Sequence, residues 1–99
     1  MATIADTILQ QLGGRKFTLM TGAKNLTGHA NALSFKLPSR FAKDGINYVK
    51  ITLNPSDTYI MEFGKIVKHT YKELITSTGV YCDQMQTVFT DITGLDTHL

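Results

Sequence analysis

A chain of 99 residues that is 42% hydrophobic and 18% charged, with two prolines, is expected to form one soluble globular domain; this composition excludes a disordered, collagenous or bilayer-spanning chain. The formal net charge of +2 hides an asymmetry: residues 1–50 carry Arg15, Lys16, Lys24, Lys36, Arg40, Lys43 and Lys50 against Asp6 and Asp44, whereas residues 51–99 carry three lysines against six acids. Such polarity either steers a polyanion to one face or reflects an ordinary solvated surface. The single cysteine, Cys82, excludes an internal disulfide. With no bilayer-length apolar run and no secretory pattern at the amino terminus, the cytoplasm is the expected compartment.

In chain order, the first element is predicted to be a helix. Ile4, Ile8 and Leu12 recur at helical spacing, Thr3 is placed to cap the start, and Gly13-Gly14 to end it. From Lys16 the period falls to two: Phe17 and Leu19 alternate with Lys16 and Thr18, which predicts a strand ending at Gly22, with Lys24 and Asn25 of "MTGAKN" on a loop. Leu33, Phe35 and Leu37 predict a second strand, closed by Pro38. "INYVKITL" and "TYIMEF", joined by the turn signal "NPSD", predict a hairpin, and a fifth strand is placed somewhere in Ile66 to Ile75. A final helix is expected from Tyr81, Met85, Val88, Phe89 and Ile92, with Gly94 and Leu95 as its stop. No internal repeat, low-complexity tract or linker is apparent.

This order gives a single α+β domain spanning residues 1–99, a four- to five-stranded largely antiparallel sheet with an N-terminal and a C-terminal helix packed on one face. The opposite face is then open and carries Lys16, Thr18, Met20, Ser34, Lys36, Tyr48, Lys50, Thr52, Ile60 and Glu62. Lysines with an aromatic among them resemble the surface of a single-strand binder; they equally describe the solvated side of an antiparallel sheet. The candidate nucleic-acid or partner-binding residues are Lys16, Lys36, Tyr48 and Lys50 on this face, with Lys24, Arg40 and Lys43 on loops nearby.

Catalytic patterns are not found. His29, His69 and His98 have no carboxylate or cysteine at metal-ligand spacing, and Cys82 reads as a small structural residue on a helix beside a buried Tyr81. Asp57 and Glu62 have no second pair to act as acid and base. "TGAK" lacks the Walker spacing, and a strand pattern follows it where a phosphate loop requires a helix. No catalytic residue, cofactor or metal is therefore assigned.

"GGRKFTLMTGAKN", "LSFKLP", "INYVKITLNPSDTYIMEF" and "YCDQMQTVFTDITGL" together resemble a family of small uncharacterised proteins of about this length carried by bacteriophages, prophages and other mobile elements. The resemblance implies a setting, the cytoplasm of a bacterial host cell, and no chemistry. In that setting a non-enzymatic accessory protein would bind stoichiometrically to a host or phage nucleic-acid-handling complex, as an anti-CRISPR-like inhibitor does, with Glu73, Asp83, Asp91 and Asp96 imitating a nucleic-acid backbone. The alternative is direct binding of DNA or RNA through the basic sheet face. An open edge strand would also permit a homodimer.

Overall fold

Thr3 starts the first helix, α1 (Ile4–Leu12), through a reciprocal cap: Thr3 Oγ1 accepts from the Asp6 N–H at 3.1 Å, and Asp6 Oδ2 accepts from the Thr3 N–H at 3.2 Å. Two amide donors that a helix start leaves open are thereby satisfied. Thr3→Ala is expected to lower the unfolding free energy by about 1 kcal/mol, read as a fall in the urea midpoint at constant slope. The computed structural model describes residues 3–38 and 43–95; the expectations for Arg40, Asp96 and His98 lie outside the described residues.

The next segment departs from expectation. Residues 15–21 form a helix, α2 (Arg15–Thr21), where alternation had predicted a strand. The alternation of Phe17 with Leu19 was coincidental: Phe17 is fully buried while Leu19 is 75% exposed, and the true inward pair is Phe17 and Thr21, four residues apart. Thr21 Oγ1 donates to the Phe17 carbonyl at 2.7 Å and accepts from the Ala23 N–H at 3.2 Å. Gly22 takes the left-handed conformation that stops the helix (φ 72°), its N–H donating to the Thr18 carbonyl.

The last helix, α3 (Met85–Thr93), ends in the same way. Thr93 Oγ1 donates to the Phe89 carbonyl at 2.7 Å and accepts from the Leu95 N–H at 3.2 Å, and Gly94 is left-handed at φ 75°. "FTLMTG" and "FTDITG" thus write one helix terminus twice, a short internal repeat that inspection of the sequence missed. Their phenylalanines meet edge to face in the core, Phe17 against Phe89 with centroids 5.2 Å apart and Phe17 against Phe35 at the same distance. α3 also begins later than predicted: Tyr81 is 58% exposed, and Cys82 lies exposed in the turn before Met85, so neither belongs to a buried helical stripe.

Five strands follow one another across an entirely antiparallel sheet: β1 (Lys24–Gly28), β2 (Ala32–Lys36), β3 (Tyr48–Leu53), β4 (Tyr59–Val67) and β5 (Thr70–Val80), with β1 and β5 at the edges. The first strand is therefore Lys24–Gly28, and Lys24 and Asn25 begin it instead of lying on a loop. Leu33, Ile51 and Met61 lie in register, as do Phe35, Val49 and Phe63, and all six are buried on the inner face. α1 lies over β1 and β2 on this face, α3 contacts α1, and the Gln86 side-chain amide donates to the Leu12 carbonyl at 2.9 Å. The domain is α+β with its N- and C-terminal helices on one side of the sheet, as the sequence predicts. No described helix is long and apolar enough to cross a membrane.

Candidate nucleic-acid interface

Strand alternation assigns every second residue to the face that the helices leave uncovered. Register then fixes the neighbours: Lys24 stands opposite Lys36, Lys36 opposite Tyr48, and Tyr48 opposite Gly64. One step along, Ser34, Lys50 and Glu62 form a parallel row. Lys24, Lys36, Tyr48 and Lys50, four of the seven candidate residues, are thus brought together on adjacent strands.

The other candidates separate from them. Lys16 is exposed on α2, in the helical layer. Lys43 belongs to a short 3-10 turn (Lys43–Gly45), and its methylenes run beside Gly94: a β-carbon added there would stand 3.1 Å from Lys43 Cγ. The negative end of the α3 dipole suits a cation in that place, away from the sheet face. Arg40 lies outside the described residues.

Periodicity overlooked an aromatic partner. Gly64 lacks a side chain, and the Tyr71 ring occupies the space: a β-carbon on Gly64 would stand 2.6 Å from Tyr71 Cζ and 2.7 Å from the Lys72 carbonyl oxygen. Tyr71 meets Tyr48 edge to face, with centroids 5.4 Å apart and planes at 73°. Burial, then the charges of Glu62 and Glu73, push the Tyr71 hydroxyl above its ordinary pKa, so it stays a neutral donor at physiological pH. A glycine inside a strand is the sequence signal that would have pointed here, since it marks a close approach.

Asn47 holds the arm that carries Tyr71. β3 begins only at Tyr48, but the Asn47 side chain accepts from the Ile66 N–H at 2.7 Å and donates to the Ile66 carbonyl at 3.1 Å, in place of another strand residue. Its backbone N–H donates to the Gly64 carbonyl at 3.1 Å. Beyond Ile66 the arm closes in a two-residue turn at Lys68 and His69, both left-handed (φ 49° and 68°), the hairpin geometry that matches sheet twist.

Two depressions mark this face. One, of about 260 Å³, is lined by Lys24, Asn25, Lys36, Asn47 and Ile66; the other, of about 380 Å³, by Tyr48, Lys50, Glu62, Ile66 and Tyr71. They share Ile66. At its far end the face is closed: Ser34 is buried, contrary to the expectation of an open position, because the loop after β1 returns and His29 Nε2 lies 2.9 Å from Ser34 Oγ. Among the described residues no three His, Cys, Asp or Glu side chains converge as metal ligands would. Comparisons with protein-family models, with curated proteins and with solved structures find no match for this chain.

Proposed function

We propose that the protein is a non-enzymatic binding domain whose uncovered sheet face takes a single-stranded nucleic acid. The observation that carries this reading is the meeting of Lys24, Lys36 and Lys50 with Tyr48 and Tyr71 on three adjacent strands and the arm beyond them. Like charges set directly opposite in a sheet destabilise it, so the Lys24–Lys36 pair costs stability that a bound anion would relieve. Lysines at strand spacing suit successive phosphates, and the tyrosines offer apolar faces and ring edges to unstacked bases. An intact duplex keeps its bases stacked inside and has no use for such a platform.

In the phage or prophage setting that the sequence resemblance implies, such a domain would act as an accessory factor on single strands produced by replication, repair or defence complexes. Imitation of a nucleic acid by the acidic residues has less behind it. Glu73 lies opposite Gly64 on the sheet, whereas Asp91 is exposed on α3 and Asp83 sits in the turn ahead of it, so these charges do not form one surface.

Fluorescence anisotropy with labelled oligothymidine, oligouridine and a duplex tests the reading. Either single strand should bind more tightly than the duplex, with a logarithmic salt slope of about −2 if three lysines meet phosphates. Absence of binding at low salt with micromolar protein overturns it.

A further inference from the structure

A lysine and tyrosine surface accepts any strand, but one side chain in the second depression does not suit a general phosphate binder. Glu62 stands directly opposite Lys50 across β3 and β4 and lines the same depression as Tyr48, Ile66 and Tyr71. A carboxylate there repels the backbone that Lys50 attracts. It is also acceptor-only, beside an ammonium that only donates.

The four bases differ in what their pairing edges would meet. Guanine presents two adjacent donors, N1–H and the N2 amino group, beside the O6 acceptor. Adenine presents one donor and one acceptor, cytosine one donor and two acceptors, and thymine or uracil one donor between two acceptors. A carboxylate next to an ammonium complements guanine alone: the carboxylate accepts both N–H groups while the ammonium donates to O6. Any other base turns a lone pair toward the carboxylate or leaves one of its oxygens unpaired. Glu62 shares the lining of this depression with both rings of the aromatic pair, where an unstacked base would rest.

We infer that the depression formed by Tyr48, Lys50, Glu62, Ile66 and Tyr71 is a guanine subsite on the bound strand, read by Glu62 and Lys50 together. This rests on the strand-binding reading above, and the experiment separates the two. Anisotropy is measured for oligothymidine alone and with one central guanosine, inosine or adenosine. The guanosine strand should bind about tenfold more tightly than the all-thymidine strand, within the range that a bidentate contact to a base edge supplies. Inosine, which lacks the N2 amino group, should lose most of that gain, and adenosine all of it. Glu62→Gln should erase the preference while tightening binding of the thymidine strand, because a negative charge leaves the face. Equal affinities for guanosine and adenosine strands, with salt-dependent binding intact, overturn the guanine subsite and leave the strand reading standing. A preference that survives in Glu62→Gln overturns the role of Glu62. No strand bound at all overturns both.

Discussion

Reversing Lys36 and Lys50 together to glutamate is expected to weaken binding of a short oligothymidine by about two orders of magnitude at low salt. The estimate takes two charge-assisted phosphate contacts at about 1.5 kcal/mol each. The salt slope should fall with it, because fewer counterions are displaced. The fold should change little: Lys36 is exposed and Lys50 half-buried on the same face, and the attractive pair that Lys36→Glu makes with Lys24 offsets the repulsive one that Lys50→Glu makes with Glu62. Thermal midpoints measured alongside should therefore stay close to that of the parent. Lys16→Glu combined with Lys43→Glu makes the same change in net charge in the helical layer. If that pair weakens binding as much as the sheet-face pair, attraction is a matter of total charge and the interface is misplaced.

Gly64→Ala is expected to be the most damaging single methyl group on this face. The added carbon would collide with the Tyr71 ring and with the Lys72 carbonyl oxygen, and a backbone atom cannot turn aside as a side chain can. Overpacking of this kind costs about 1–3 kcal/mol, which in a domain of this size lowers the thermal midpoint by roughly 10 °C. Strand binding should fall as well, since Tyr71 is displaced from Tyr48. Adding Tyr71→Ala to Gly64→Ala should recover part of the stability and none of the binding, the Lys72 contact accounting for the part not recovered. Full tolerance of Gly64→Ala by both measures would show that the ring does not rest where the structure puts it.

The central hairpin was legible because both of its strands are flanked by partners and covered on one side, so burial imposes a strict alternation on "YVKITL" and "TYIMEF". α1 was legible through its cap and its spacing. α2 was not, since a seven-residue helix buries only Phe17 and Thr21, and so few inward residues leave its period undefined. The matching ends of α2 and α3 held the missing information: the same Phe-Thr-x-x-Thr-Gly pattern that accompanies a recognisable helix near the carboxyl terminus also occurs at Phe17–Gly22. At the site, alternation recovered Lys36, Tyr48 and Lys50 but added Lys16 to them, because residues 15–21 read as a strand, and Lys43 was grouped with them as a residue of a nearby loop, whose place relative to the two layers no periodicity reveals. Tyr71 escaped because the arm beyond Phe63 is largely exposed on both faces and carries no burial pattern; its clue was steric, at Gly64.

The order of strands in the sheet is the order of strands in the chain, so every backbone ladder joins strands that are consecutive in the sequence. Each hairpin can form soon after its own residues leave the ribosome, without waiting for a distant segment, and topologies of this kind fold quickly. α3 is the exception. Its Phe89 must insert between Phe17 and Phe63, and Gln86 must reach Leu12 across 74 residues of chain. Completion of the domain therefore waits for α3, and a nascent chain halted before Met85 would hold a finished meander with an uncovered aromatic core, a ready target for chaperones.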